Sequence, residues 1–427
     1  MKNIHRLVCL LTFGWLVAHH TIAQDFQTYL SKHATAYQPG QPGSYSVFDS
    51  AFYQNDVFLL GEVHGYAAPQ TIDLDLLKHL NQRVGLRYYL AEMDFAQATL
   101  VNDYLQTGDT TRLDSLFRGF RRQTIAGTSQ WGNQEFYAKL LAIRAYNQTR
   151  PDNLRIRFLG VDWFQPRATI ARSLLKHILQ TKTKSITGLP LLDSLRLVVL
   201  ADSFNLLKAQ PFTKRIRADM AANKAIYQQL LGDQRLPFQF FFELLNCADD
   251  KLTRDEVALR MTQCMVDEMG LQREKLYGLW GYTHILQAGT GKQPTLSGLL
   301  TKSGRRVVTM ATFFKDSDML IHCKHLPFFL RTGKGPFCHT KSLNADGKVF
   351  KIDKFDDVET LSAANSLTLF RLDAPDSPYR QTLRLIKVGG LTGTKIAPYE
   401  LAPTVTTDYF QYVFVVRDSP PVTVWGN

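Results

Sequence analysis

Two stretches of this sequence each place a histidine three residues after a glycine that ends an apolar run. In the first, Val57 to Leu60 is followed by Gly61-Glu62-Val63-His64; in the second, Leu276 to Trp280 is followed by Gly281-Tyr282-Thr283-His284. A histidine held by a neighbouring carboxylate can act as a general base on water. One such unit alone is consistent with ordinary polar loop residues. A second copy, more than two hundred residues later, favours a functional site.

Acidic residues follow two further apolar runs. Glu92 comes directly after the run 86–91, and Asp162 directly after the run 155–161. If all four runs are neighbouring parallel strands, their carboxyl ends meet at one edge of the sheet, and the acids and histidines converge there. Two chemistries then stay open: general-base catalysis, and binding of a divalent metal by two imidazoles and one or two carboxylates. The histidines do not share a helix at the spacing of zinc peptidases, so metal binding depends on convergence alone.

Several function classes lack support in the sequence. There is no Gly-x-Ser-x-Gly nucleophile motif, no Walker loop and no Gly-x-Gly-x-x-Gly fingerprint after a strand, which argues against covalent serine catalysis and nucleotide binding.

Apolar residues make up 45% of the chain and charged residues 21%, a composition typical of a globular protein with a real core. The net charge of +12 comes from scattered lysines and arginines, so we expect a solvated basic surface and no nucleic-acid partner.

The elements that must position these residues alternate between strand and helix patterns. We predict α/β architecture: a mainly parallel sheet with flanking helices, a long helical insertion and a β-rich C-terminal tail. The predicted strands are 57–61, 86–92, 155–162, 275–281 and 305–314. The predicted helices before the insertion are 25–37, 69–82, 95–106, 109–118 and 134–147. Residues 118–133 are too irregular to predict an element, and the runs 320–323, 367–372 and 409–416 either extend the sheet or form a separate tail.

The predicted organisation has five parts. They are a signal peptide (1–23), a first α/β half with a Gly-x-x-His motif (24–164), a helical insertion (165–271), a second α/β half with the other motif (272–315) and a C-terminal β-rich extension (316–427). The signal peptide is predicted from the basic residues Lys2 and Arg6, the apolar run 7–18 and the small-residue site around Ala23. We therefore expect an exported, periplasmic or extracellular protein with no membrane span in the mature chain.

Four cysteines follow the predicted signal peptide: Cys247, Cys264, Cys323 and Cys338. An exported chain permits disulfides, and a Cys323–Cys338 bridge is one interpretation. Two buried free thiols are another. A zinc cluster with the neighbouring histidines is a third, although the spacing fits no zinc motif closely.

The residues resemble a known family. The paired Gly-x-x-His motifs look like those of the erythromycin esterase/ChaN-like superfamily, which also includes the Tiki and TraB proteins. Trp131 with the segment 144–147, Arg-Ala-Tyr-Asn, looks like the erythromycin-esterase branch, and Arg254-Asp255 resembles its Arg-Asp/Glu pair. Glu92 falls where that branch has its second-strand carboxylate. The resemblance covers about residues 50–290 and has two departures: Met261 where asparagine is expected, and Tyr282 in place of the commoner histidine or asparagine.

The resemblance implies hydrolysis of an ester or lactone, a small-molecule substrate, by histidine-activated water. His64 is then the base, Glu62 orients it, Glu92 and His284 complete the catalytic group, and Arg254 stabilises the oxyanion or anchors the substrate. The residues expected to bind substrate are Asp162, Trp131 and Tyr282. We expect no resident cofactor and no tightly held metal, with a weakly bound divalent ion as an alternative. Two other functions stay open: a haem- or ligand-binding protein with His64 and His284 as axial ligands, and a metal-dependent Tiki-like peptidase.

Overall fold

The computed structural model describes residues 25–127, 131–164, 169–182, 189–291, 293–331, 335–389 and 404–426. The predicted signal peptide, 1–23, lies outside these residues. Residues 165–168, where the predicted insertion begins, also lie outside them.

An eight-stranded sheet with the order β1-β10-β12-β6-β2-β5-β3-β4 forms the centre of the fold. Its strands are β1 (Ala34–Ala36), β2 (Val57–Glu62), β3 (Tyr88–Ala91), β4 (Arg157–Gly160), β5 (Leu276–Gly281), β6 (Val307–Lys315), β10 (Leu367–Arg371) and β12 (Tyr412–Arg417). All neighbours from β12 to β4 pair in parallel, and β10 pairs antiparallel with both β12 and β1. Two small antiparallel sheets pair β7 (Met319–His322) with β8 (Phe337–Thr340) and β9 (Lys351–Ile352) with β11 (Lys387–Gly389).

Helices flank the sheet and fill the predicted insertion. Before the insertion they are α1 (25–32), α2 (Ser50–Gln54), α3 (Ala68–Val84), α4 (Phe95–Thr107), α5 (Thr110–Ile125) and α6 (Gln134–Gln148). Within it they are α7 (Thr169–Lys182), α8 (Pro190–Leu200), α9 (Leu206–Ala209), α10 (Thr213–Ala222), α11 (Lys224–Leu231), α12 (Arg235–Asp249) and α13 (Arg254–Met269), and α14 (Leu296–Lys302) and α15 (Asp356–Glu359) follow. In the described ranges, none of these helices combines the length and the apolar character needed to cross a membrane.

The central strand β2 is buried on both faces. Val57 and Leu59 pack into one hydrophobic core, while Phe58 and Leu60 pack into a second core on the other face of the sheet. Side chains alternate across a strand, so a strand covered by helices on both sides has an unbroken apolar sequence. This confirms the predicted α/β fold with a mainly parallel sheet.

Two local predictions were wrong. The helix expected to run to residue 37 ends at 32, because residues Ala34–Ala36 form an edge strand that pairs with β10. The stretch expected to be irregular, 118–133, begins inside α5, which continues to Ile125. Phe117 and Phe120 bury one face of that helix, and this packing outweighs the weak helix propensity of Gly119.

The C-terminal extension contributes directly to the main sheet. β12 pairs in parallel with β6, and β10 pairs with β12, so two of the three short runs left open by the sequence extend the sheet. The third run forms β7, which pairs with β8 outside the main sheet. A disulfide joins Cys323 to Cys338 at the loop end of that hairpin, which decides between the three interpretations that the sequence left open, whereas Cys247 and Cys264 are free thiols.

Candidate active site

The strand order brings the predicted residues to one edge of the sheet. β5 lies between β2 and β3, and β4 lies beside β3. Glu62 at the end of β2 is opposite Gly281 at the end of β5. Glu92 directly follows β3, and Asp162 follows β4 by two residues. The carboxyl ends of four parallel strands therefore carry the acids and both histidines.

The first unit is a histidine held by a buried carboxylate. Nδ1 of His64 lies 2.8 Å from Oε1 of Glu62, and the His64 side chain is 37% exposed while Glu62 is buried. Burial opposes protonation of His64, but the hydrogen bond to Glu62 and the charges of Glu62 and Glu92 outweigh it and raise the pKa to about 9. Nε2 is the ring nitrogen left to act on a water molecule.

The second unit is Arg254, which binds two buried carboxylates at once. Nε donates to Oδ1 of Asp162 at 2.8 Å, and Nη2 donates to Oδ2 of Asp162 and to Oε1 of Glu92, both at 2.7 Å. Burial raises the pKa of Glu92, but the nearby charges of His64, His284 and Arg254 lower it below its usual value. Burial of Arg254 is likewise outweighed by Asp162 and Glu92, which raise its pKa. Both shifts favour the charged forms of Glu92 and Arg254 at neutral pH.

His284 is held by Asp255, which the sequence placed in the Arg254-Asp255 pair but to which no role in the site was assigned. The Asp255 carboxylate contacts Nδ1 of His284 directly, and Nη1 of Arg254 lies 3.4 Å from Nε2 of the same ring. Burial lowers the pKa of His284, but Asp255 and Glu92 together raise it. A capping box on Thr253 starts α13, so Arg254 and Asp255 both belong to its first turn. The Arg-Asp pair in the sequence was the signal that could have identified Asp255.

The two histidines meet at Gly281. A Cβ atom placed on Gly281 would lie 3.4 Å from Cδ2 of His284 and 3.6 Å from Nε2 of His64. The backbone N–H of Gly281 also donates to Oε2 of Glu92 at 2.8 Å. The glycine thus lets both imidazoles and a carboxylate approach the end of β5.

A cavity of about 650 Å³ opens beside this group, and five of the predicted residues line it. They are His64, Glu92, Trp131, Asp162 and Arg254. The Trp131 ring meets the His64 ring edge to face with centroids 5.5 Å apart, so Trp131 forms a wall next to the proposed base.

Three of the predicted residues lie behind or away from the cavity wall. Glu62 and His284 contact the lining residues His64 and Arg254 without lining the cavity themselves. Tyr282, predicted to bind substrate, is buried in a hydrophobic core, where its ring packs 6.1 Å from Phe313 and 5.8 Å from Phe350. The structure therefore does not bring Tyr282 to the cavity.

The C-terminal extension supplies much of the cavity wall, which no sequence motif indicated. The contributing residues are Met319, Leu320, Ile321, His322, His325, Phe337, Val422 and Val424. The same region anchors the loop that carries His64: the carbonyl of Gly65 accepts hydrogen bonds from the N–H groups of Leu320 and Val422 at 3.1 and 3.0 Å. The loop that carries His64 is therefore hydrogen-bonded to the C-terminal residues that form the cavity wall.

The donor set does not suit a metal ion. The carboxylate oxygens of Glu92 and Asp162 already accept hydrogen bonds from Arg254, and its positive charge stands where a cation would have to bind. Within the described ranges, no group of three or more histidine, cysteine, aspartate or glutamate side chains is arranged to hold a metal ion.

Comparison with known proteins agrees with this fold. The family model for erythromycin esterase matches residues 82–188. The structure of a protein from Bacillus cereus has a TM-score of 0.65 and 15% identity, covering 94% of this chain and 99% of that chain. A succinoglycan biosynthesis protein has a TM-score of 0.61 and 13% identity, covering 95% and 99%. No protein with a curated description matches the sequence.

Erythromycin esterase EreC is also similar. The structure of a histidine-to-asparagine mutant of EreC in its open conformation has a TM-score of 0.57 and 14% identity, covering 92% of this chain and 98% of that chain. The family-model match agrees with the resemblance to erythromycin esterase over residues 82–188, and the solved structures share the fold. At these identities they establish a shared fold, and the activity has to be argued from the site.

Proposed function

We propose that this protein is a hydrolase that cleaves an ester or lactone with water activated by His64. The observation that carries the proposal is the His64–Glu62 pair, because Glu62 holds one ring nitrogen and leaves the other at the edge of a cavity. A carboxylate fixes the tautomer and orientation of a histidine base and stabilises the imidazolium that forms when the base accepts a proton.

The reaction needs a base, a site for the oxyanion and a route for the proton. The neutral form of His64 takes a proton from water as the water oxygen attacks the carbonyl carbon. Arg254 lines the same cavity and carries a permanent positive charge, so it is placed to stabilise the negative charge that develops on the carbonyl oxygen. The His64 imidazolium then returns the proton to the leaving alcohol as the C–O bond breaks.

Glu92, Asp162, His284 and Asp255 position these groups. Glu92 and Asp162 hold Arg254 through the hydrogen bonds described above, and both carboxylates are buried. Asp255 holds His284, which in turn lies against Nη1 of Arg254. The cluster thereby fixes the guanidinium at the cavity wall, and preorganised charges of this kind are the strongest contributors to stabilisation of a transition state.

The test is hydrolysis of activated esters and of a panel of lactones by purified protein. Replacing the proposed base, His64→Ala, should reduce kcat/KM by about 10²–10³-fold, within the range measured for loss of a general base. His177→Ala is the matched control, because this histidine is exposed on α7 and takes no part in the cavity. Equal rates for the His64 variant and the wild-type protein would contradict the proposal.

We also propose that the protein is exported through a cleaved signal peptide. The Cys323–Cys338 disulfide supports export, because disulfides persist in oxidising compartments and are rare in the cytosol. Expression of the full chain followed by fractionation and mass determination tests this directly. A mature chain that begins near Gln24 in the periplasm or medium supports export, and an intact N-terminus in the cytosolic fraction contradicts it.

A further inference from the structure

A surface patch at the rim of the cavity exposes large apolar side chains. Phe328 and Phe329 lie in the loop between β7 and β8 and are 80% and 59% exposed, and their rings pack edge to face against each other. Ile125, at the end of α5, is also exposed. Burying such side chains in an apolar environment is favourable, so an exposed pair of adjacent phenylalanines is a marker of an interaction site.

The loop and the end of α5 are in contact. Nζ of Lys324 donates to the carbonyl of Ala126, and Nε2 of His325 lies 2.8 Å from the carbonyl of Gly127. The Cys323–Cys338 disulfide closes the base of the loop. Residues 323–331, which include both phenylalanines, are thus tied to the end of α5 and to β8.

The same surface is basic. We define the rim patch as Arg122, Ile125, Lys324, Phe328, Phe329 and Arg331, all of which are exposed. The sequence contains no aspartate or glutamate from 115 to 134 or from 319 to 345, the two segments that supply the patch. The cations of the rim patch therefore have no acidic residue in their own segments to offset them.

We propose that the rim patch docks this protein on a lipid bilayer that carries anionic headgroups. Aromatic side chains that enter the headgroup region, surrounded by lysine and arginine, are the combination that holds peripheral proteins on anionic membranes. The loop contributes His325 to the cavity wall, and His322 and Phe337 at the ends of the flanking strands line it too, so docking places the cavity beside the bilayer surface. The proposal concerns binding and does not depend on the hydrolytic activity proposed above.

The test measures sedimentation of the mature protein with vesicles of phosphatidylglycerol mixed with phosphatidylcholine, and with vesicles of phosphatidylcholine alone. We expect strong binding to the anionic vesicles that weakens as salt screens the charges, and weak binding to the neutral vesicles. The double variant F328S/F329S should lower the partition coefficient at least about tenfold, because it removes the apolar groups that enter the bilayer. The double variant R122A/K324A removes two of the cations and should lower the partition coefficient roughly twentyfold on anionic vesicles only.

Leu197 and Leu207 provide a matched control. They are 78% and 75% exposed on α8 and α9 of the helical insertion, outside the cavity wall, so L197S/L207S removes a similar apolar pair from another surface and should bind as the wild-type protein does. Unchanged melting temperatures show that the variants are folded. A blue shift of tryptophan emission in F328W on adding anionic vesicles gives a second, independent measure of insertion.

Three results would overturn the proposal. The first is equal binding of the wild-type protein to anionic and neutral vesicles. The second is binding by F328S/F329S that matches the wild-type protein. The third is concentration-dependent self-association that F328S/F329S abolishes, without any vesicle binding, which would make the rim patch an interface between copies of this chain.

Discussion

Nδ1 of His64 lies 2.8 Å from the buried Oε1 of Glu62, only two residues earlier in the chain. This pairing sets the protonation state of the proposed base. Because a carboxylate at this distance stabilises the imidazolium, the pKa of His64 rises to about 9 and the ring is mainly protonated at neutral pH. Only the minor neutral form can accept a proton from water, so the pairing that orients the base also limits its availability.

The first prediction is a rise in activity with pH. His64 loses its proton only as the pH increases through about 9, so kcat/KM for ester hydrolysis should rise with pH below that value and level off above it. In Glu62→Gln the carboxylate charge is lost and burial favours the neutral ring, so the rise should move to lower pH. Both expectations are checked by measuring kcat/KM against pH for the wild-type protein and Glu62→Gln, after subtracting the hydrolysis catalysed by hydroxide. A pH profile that does not shift in Glu62→Gln would argue against the assigned His64–Glu62 pair.

The second prediction concerns Arg254 as the counter-charge of Glu92 and Asp162. Arg254→Ala leaves two buried carboxylates without their cation and should lower the free energy of unfolding by about 3 kcal/mol. Adding Asp162→Asn to this variant should recover part of the loss, since one of the unpaired charges is then gone. The free energies of unfolding of these variants are measured by urea denaturation.

Arg112 and Asp103 form the control for this experiment. Their ion pair is solvent-exposed, so Arg112→Ala should change the free energy of unfolding by less than about 1 kcal/mol. Equal losses of unfolding free energy in Arg254→Ala and Arg112→Ala would show that the ion pairs of Arg254 stabilise the fold no more than an exposed surface pair does.

The third prediction concerns Gly65, which positions the loop that carries His64. Gly65 has a φ of +101°, and a Cβ at this position would lie 2.3 Å from the carbonyl oxygen of Leu320. Gly65→Ala should therefore displace the contact with β7, lower the free energy of unfolding by about 2 kcal/mol and reduce the rate of hydrolysis. Gly304→Ala is the control for backbone strain without a steric clash, because Gly304 has a φ of +89° and open space around the Cβ position. We expect this variant to lower the free energy of unfolding by only about 1 kcal/mol and to leave the rate of hydrolysis unchanged. Similar effects at both glycines would contradict the assigned role of Gly65.

The fourth prediction concerns metal and haem. Since Arg254 engages the carboxylates that a metal would need, dialysis against a chelator should leave the hydrolytic rate unchanged, and elemental analysis should find far less than one equivalent of zinc or manganese. A haem titration should give no Soret shift that depends on both His64 and His284. Activity that is abolished by chelation and restored by one ion would instead assign these residues as ligands.

Much of the site was predictable because its signals are local. The apolar runs of β2, β3, β4 and β5 indicate buried strands, and the acids and histidines follow them directly in the sequence. Parallel strands place their carboxyl ends at one edge, so the convergence of these residues followed from the fold class. The Cys323–Cys338 bridge was one of three interpretations, because sequence spacing alone cannot decide whether two cysteines come within bonding distance.

The partners of those residues depend on contacts between distant segments. The position of β5 beside β2 brings Gly281 and His284 to His64, and the first turn of α13 brings Arg254 to Glu92 and Asp255 to His284. Strand order and helix docking follow from long-range packing, which local propensity does not encode.

The sequence by itself therefore determined the fold class, the four strands that carry the site and the residues at their ends, because these depend on neighbours in the chain. Only the tertiary structure decided that Tyr282 faces the core, where Phe313 and Phe350 cover its ring. It also decided that residues after 316 form much of the cavity wall and support the carbonyl of Gly65. The physical reason is that burial and hydrogen bonding between segments hundreds of residues apart form only when the whole sheet has assembled.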